Sequence, residues 1–520
     1  MAQVNSLVSE DAARAALREF EAVVGSEWVR TIEEALAAYG DEFAPGTGDQ
    51  HAIRAVVAPS STEEVQAILR TAAAHRVPLW PVSRGKNLGY GGSAPLVSGS
   101  VVLDLSRMNR ILDVDEKLGL AVVEPGVSFF DLYEHLQRHR IRLWLSAPGH
   151  GLGSLIGNAL ERGFGFTPYG DHTSKLCGLE VVLPDGELAR TGMGAMRECR
   201  AWHHYPYSFG PHWDQMFVQS NLGVVTRAGI WLMPEPEMTI TLHINLPKFE
   251  DIAWFVDEMA QLRIREVFQQ PLICGNYLRP ATVFSRRSEW WRGPGPIPES
   301  VARQMMQRYR TGWWTADLSL FGYDNVVRAQ ADIVRRAIEP RLRQPLQFRI
   351  WRRGEPIERS PAGIPTQLSL ETANWRGLRG ATIGFSPVMP AVGRLVLEHA
   401  RRLRARHDEF GIDYYASFAI GSRHITNINL IIFDRDDPVM TKAARDLFQA
   451  AIEDAAREGY GEYRTHIDFM QAVSDTFDFN DHALRRLNER VKDALDPAGV
   501  LAPGKNGVWP ASYRSGEPEA

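Results

Sequence analysis

The sequence predicts a chain of two domains in which helices and strands are mixed, on three observations. Its 520 residues are too many for one hydrophobic core. Helical and strand periodicities follow one another along most of its length. After Pro234-Glu235-Pro236 the texture changes from short strands and glycine-rich loops to long amphipathic helices, which makes that proline pair the best linker.

Residues 9–39 carry apolar positions at helical spacing and predict two helices. Ala55-Val56-Val57-Ala58 reads as a short buried strand ended by Pro59. Ser61 and Glu64 form a capping-box pair before a helix with Val65, Ile68, Leu69 and Ala72 on one face. Strands are expected at 77–83, 100–105 and 119–124, then a helix over 128–138 capped by Ser128. Leu179 to Arg190 reads as a hairpin turning at Asp185-Gly186, and Val224 to Met233 as a strand. Beyond the prolines, Ile252, Phe255, Val256, Met259 and Leu262 share a helical face, Val326–Ile338 behaves similarly, and Tyr414–Ile420 pairs with Ile428–Phe433.

Charged residues are 23% and hydrophobic ones 44%, as in ordinary soluble proteins. The 58 basic against 63 acidic residues leave a net charge of −5, which argues against nucleic acid or an anionic membrane as partner. Cys177, Cys199 and Cys274 have no metal-type spacing and cannot all pair, so a reducing compartment fits. Met1 to Ala22 lacks an apolar signal core, and no apolar run is long enough for a bilayer. A cytoplasmic location is expected. His203-His204 with His212 lacks further ligand spacing, so no metal is expected. The Trp290-Trp291 and Trp313-Trp314 pairs read as core.

Two stretches carry the candidate chemistry. The first, Val82 to Gly92, holds Arg84, Gly85, Lys86, Asn87, Gly89, Tyr90 and Gly91. Glycines let backbone amides come close to a ligand, and two cations suit a pyrophosphate. The second runs from Pro148 through Gly149, His150, Gly151, Gly153 and Ser154 to Asn158. Its glycines are spaced one residue too widely for a Rossmann fingerprint, and no Walker A pattern occurs. A dinucleotide held between two loops, outside the nicotinamide fold, is the reading these spacings favour.

The stretch Lys86-Asn87-Leu88-Gly89-Tyr90-Gly91-Gly92 resembles the flavin-pyrophosphate loop of the vanillyl-alcohol oxidase group, which includes eugenol oxidase and p-cresol methylhydroxylase. The resemblance continues in order through Glu161–His172, Thr191–Ala195, Gln219–Thr226, Gly384–Pro387, Gly461–His466 and Ala502–Lys505. It implies an α+β fold: an FAD-binding domain split between 1–236 and 462–520, and an inserted α+β substrate cap at 237–461. It implies FAD as cofactor, with Tyr169, Gly170, Gly223, Val225, Arg464 and Lys505 joining the two loops as cofactor-binding residues. Tyr90, Tyr463 and Arg464 match the residues that surround the oxygen of a para-substituted phenol. The implied reaction is benzylic hydride transfer to flavin through a quinone methide, with oxygen or another acceptor taking the electrons. A homo-oligomer, dimer or higher, is expected.

The departures are as informative. Gly149 stands where oxidase members carry an aspartate near the flavin, with His150 beside it as a substitute base of ordinary pKa near ~6.5. Thr382 stands where they carry the histidine that tethers the flavin, so non-covalent FAD is expected. Phe166 replaces a pocket tyrosine and Thr426-Asn427 a His-His pair, so Phe166, Thr382 and Thr426 are expected to line a rebuilt substrate end. The alternatives are oxidation of a hydroxy acid or other alcohol, with Arg464 holding a carboxylate, and a flavin-binding homologue without redox activity.

Overall fold

The computed structural model describes residues 4–46, 49–342, 344–355, 357 and 363–514. Its first sheet runs in the order Val29–Arg30, Ile53–Val57, Ser100–Asp104, Leu79–Val82, and the last three of these strands are parallel. Parallel neighbours need a crossover. The helix Thr62–His75 supplies it, burying the expected Val65, Ile68, Leu69 and Ala72. At its start the Ser61 hydroxyl accepts from the Glu64 amide at 3.2 Å, but the Glu64 carboxylate accepts from the amide of Ser60 instead, at 2.6 Å. The helix Phe129–Arg138 has the complete box, built by Ser128 and Asp131.

A second sheet, all antiparallel, runs Ile111–Asp115, Leu120–Val123, Val224–Trp231, Leu176–Val182, Leu188–Arg190. Its last two strands are the expected hairpin, closed by Gly186 N–H donating to Leu183 O at 2.9 Å. The expected strand to Met233 stops at Trp231, and Met233–Pro234 pairs separately with Leu143–Trp144.

The third sheet has nine strands and takes residues from Met238 to Glu462. Met238–Leu246 shows why it forms: Met238, Ile240, Leu242, Ile244 and Leu246 alternate with polar residues and are all buried. Its central strand, His424–Asp434, pairs on one side with Tyr415–Ile420 and on the other with Gly380–Phe385 and Pro387–Pro390. The Trp313-Trp314 pair is core as expected, Trp314 being fully buried with its indole N–H donating to Phe249 O at 2.8 Å, whereas Trp290 and Trp291 are only partly buried and pack against that core.

The chain then returns to the first sheet. Val500 and Leu501 enter the core formed with Val77, Leu79 and Val101, and the Leu79 amide donates to Val500 O at 2.8 Å. A fully buried lysine, Lys492, fastens this return by donating to Asn221 O at 2.7 Å, Leu501 O at 2.6 Å and the Asp496 carboxylate. A buried cation is tolerated only when so fully paired. Among the described residues no helix is long and apolar enough to cross a membrane.

Candidate active site

The loop 83–92 follows the strand Leu79–Val82 and is pinned by its own backbone, with the Asn87 carbonyl accepting from the amides of Tyr90 and Gly92, each at 3.1 Å. Gly89 has φ +81°, and a Cβ there would stand 2.8 Å from Thr382 O. Only glycine satisfies both the left-handed backbone and that approach. The loop therefore lies directly on the strand Gly380–Phe385 of the large sheet. Tyr90 lies there too: a Cβ on Gly384 would be 2.9 Å from the Tyr90 hydroxyl. Gly384 is the seat of that hydroxyl, a role that sequence inspection had not given it.

Loop 148–158 runs beside the first loop. The Arg84 guanidinium joins them by donating to Leu152 O at 3.1 Å and Gly126 O at 2.8 Å, with Asp131 at 3.5 Å. Its fork is thus spent on protein acceptors. Lys86 is exposed, 4.0 Å from Glu42. Ser154 caps the short helix Leu155–Leu160, accepting from Gly157 N–H at 3.0 Å. The Asn158 side chain meets His172 Nδ1 at 2.6 Å. The segment after Gly363 covers this loop: Gly151 N–H donates to Thr366 O at 2.8 Å, and the Ser369 hydroxyl donates to Gly149 O at 2.5 Å. Gly153 lies 3.9 Å, measured from a built Cβ, from the His150 ring.

The third contributor is the stretch after Gly461–Glu462, the strand that ends the large sheet. Gln219 holds it by donating to Tyr463 O at 2.7 Å. Arg464 donates to the Asn87 side-chain oxygen, and its guanidinium carbon lies 4.1 Å from the centre of the Tyr90 ring. Tyr90, Asn87, Tyr463 and Arg464 are thus brought together, and His150 is close enough to feel the Arg464 charge. Behind them His466 pairs with Asp41 at 2.7 Å, and Asp468 with His51 at 2.7 Å and Arg445 at 2.7 Å. That network was invisible in sequence because its members lie up to 425 positions apart.

The other expected residues are more peripheral. Lys505 pairs with Glu161 at 2.5 Å. Tyr169 lies under the Lys175 ammonium at 4.8 Å. Gly170 packs on Pro271 and Gly223 on Val181, and Val225 is in the core of the second sheet. Phe166 meets Phe164 edge-on, 6.4 Å between ring centres. Thr426 shares a sheet face with Ile428 and Leu430, while Asn427 turns to the buried side, its amide donating to Ser417 O at 3.0 Å and its oxygen meeting His399 at 3.1 Å.

Burial sets the protonation of the site. The His150 imidazole is pushed down to about 4, by burial first and the Arg464 charge second. It is a neutral group at physiological pH, which corrects the expectation of an ordinary histidine base. Burial pushes the Tyr463 hydroxyl far up, so it stays a proton donor. Glu462, buried beside it, is pushed up to about 8 and is largely protonated at neutral pH.

An FAD binding domain family matches residues 53–192, and the C-terminal domain of FAD linked oxidases matches residues 396–506. The flavoprotein subunit of 4-cresol dehydrogenase [hydroxylating] from Pseudomonas putida is 31% identical over 504 residues, 95% of this chain and 95% of that one. The chain belongs to the vanillyl-alcohol oxidase/p-cresol methylhydroxylase family. This family member is an FAD-linked oxidoreductase. Its fold agrees with 4-ethylphenol oxidase from Gulosibacter chungangensis in complex with isoeugenol (TM-score 0.93, 36% identity, 98% of this chain and 100% of that one). It agrees equally with substrate-bound p-cresol methylhydroxylase (TM-score 0.92, 30% identity, 97% and 99% covered).

The residues present fit FAD. Two glycine loops lie side by side, and His150 Nδ1 and Arg464 Nε are buried without a hydrogen-bond partner among the described residues. Such atoms call for a polar group from outside the chain.

The buried histidines make acid stability predictable. His150, His172, His399 and His407 are all pushed down to about 4 by burial. Between pH ~6.5 and 4 the unfolded chain therefore binds protons there that the folded chain refuses. Glu462 has the opposite sign, holding a proton in the fold that the unfolded chain has lost, but it is one group against four. The melting temperature should fall as pH drops through that window, and H407Q should flatten the slope. A profile flat from pH 6.5 to 4 would contradict these assignments.

Proposed function

We propose that this enzyme oxidises a para-substituted phenol at its benzylic carbon, with FAD bound non-covalently. The observation that carries the reading is the cluster of Tyr90, Tyr463 and Arg464, with a guanidinium 4.1 Å over one tyrosine ring. In this reading loops 83–92 and 148–158 with Arg464 hold the cofactor, the cap spans 237–461, and FAD supplies the hydride acceptor.

The chain's own groups perform the rest. A phenol has an ordinary pKa near ~10. Tyr463, kept protonated by burial, donates a hydrogen bond to the phenol oxygen, Tyr90 donates a second, and Arg464 adds a full positive charge. All three favour the phenolate over the phenol, and the phenolate pushes electrons toward its para carbon, so that loss of a hydride from the benzylic carbon leaves a neutral quinone methide. His150 is neutral at working pH, and as a weak base held near 4 it offers a ring nitrogen as a hydrogen-bond acceptor on the product side rather than a site that keeps a proton.

The case for non-covalent FAD rests on the strand Gly380–Phe385. Ala381 is fully buried and inert, and Thr382, whose carbonyl meets Gly89, offers only a hydroxyl. Acid precipitation should release the yellow colour into the supernatant, whereas colour in the pellet would contradict this. For the phenol reading, Y463F should slow anaerobic flavin reduction by a 4-alkylphenol on the order of a hundredfold, as loss of a donor to a developing oxyanion does. An unchanged rate would remove Tyr463 from the chemistry.

A further inference from the structure

Arg279 lies in the first turn of the helix Leu278–Phe284, just after the strand Leu272–Asn276. Among the described residues its guanidinium has neither an ion pair nor a hydrogen-bond partner. The carboxylates on neighbouring elements are already engaged: Glu371 with Arg286 at 2.9 Å, and Asp413 with Arg287 at 3.0 Å and Arg376 at 3.3 Å.

Strand register places this cation. A Cβ on Gly275 would stand 2.6 Å from Arg279 Cδ and 3.0 Å from the Ser417 hydroxyl. Gly275 pairs with Ser417, and Ser417 with Ile428. Two residues along, Leu430 pairs with Tyr415 on one side and with Gly384 on the other. Paired residues and residues two apart share a sheet face. Arg279 is therefore on the face where Gly384 seats the Tyr90 hydroxyl, and its positive charge is felt at Tyr415. From Gly384 across the strands of Leu430 and Ser417 to Gly275, against which Arg279 lies, is three strand spacings, ~14 Å, and two residues along. That span accommodates a phenol ring and a chain of two or three carbons. The site thus has Arg464 at the phenol end and an unneutralised guanidinium at the other. A guanidinium with no partner among the described residues is free to form a charge-assisted pair with an anion on the ligand.

We propose that the substrate is a 4-hydroxyphenyl compound whose para side chain ends in a carboxylate, and that Arg279 binds this carboxylate. The proposal rests on the phenol reading above and concerns binding and selectivity alone, since no bond at the carboxylate changes.

The test uses the FAD-loaded full chain, anaerobically, with 3-(4-hydroxyphenyl)propanoate and 4-propylphenol as probes, reading the concentration that half-saturates flavin reduction. The wild type should saturate with the acid at concentrations about tenfold lower or more, as for one charge-assisted hydrogen-bonded pair. R279M should reverse this preference, weakening the acid and tightening the neutral probe, while R279K should keep part of it. If R279M fails to take up FAD, wild type against R279K carries the comparison. Equal saturation by both probes in the wild type, or an acid preference that survives in R279M, overturns the proposal. Reduction by 4-propylphenol without any by the acid sinks this proposal alone. No reduction by either probe sinks the phenol reading and this one with it.

Discussion

The structure turns on one contact: the Arg464 guanidinium, bonded to the Asn87 side chain and lying over the Tyr90 ring. It joins the glycine loop near the start of the chain to a stretch 377 residues later. A guanidinium suits this place because it is planar, stays charged in any surroundings, and stacks on an aromatic face while its edge donates. Much of the surrounding architecture serves to hold those groups in register. Gln219 fixes the backbone before Arg464, the His466–Asp41 and Asp468–His51 pairs fix the backbone after it, and Gly89 and Gly384 bring the loop and the large sheet within touching distance.

The same convergence sets the electrostatics. Tyr463, Glu462 and His150 are all removed from water, and desolvation drives each toward its neutral form. Arg464 keeps its charge. The result around Arg464 is a cation among neutral donors and acceptors in a place of low polarity, where a charge–charge attraction is stronger than in water. A ligand that acquires negative charge is favoured there over one that stays neutral.

Much of the fold was legible in sequence because its elements carry local signatures. The Ser128 cap, the Asp185-Gly186 turn and the apolar face of Val65, Ile68, Leu69 and Ala72 are each specified within a few residues. The glycine loops were legible as well, since glycine spacing excluded the common dinucleotide motif and the residues Lys86–Gly92 resemble a flavin-pyrophosphate loop. What stayed hidden was the partner of each charged group. Arg84 read as a cation for a pyrophosphate and Lys505 as a cofactor-binding residue, yet Arg84 binds main-chain carbonyls and Lys505 pairs with Glu161. A charged side chain is chosen by type in the sequence, but its partner is chosen by the fold. His150 shows the same limit: its residue type implied an ordinary imidazole, and burial lowered it to about 4. Gly384 was legible only as part of a motif, because what it accommodates is the Tyr90 hydroxyl from a loop far earlier in the chain.

The central claim is that this site binds an aromatic hydroxyl as its anion. The most direct measurement titrates the FAD-loaded protein at pH 7 with 4-bromophenol, which has no benzylic hydrogen to lose, and follows the ultraviolet difference spectrum. The account predicts a phenolate band at a pH well below the free phenol's ordinary pKa of ~10, and its loss when Arg464 is replaced by methionine. A bound ligand whose spectrum remains that of the neutral phenol would contradict the account.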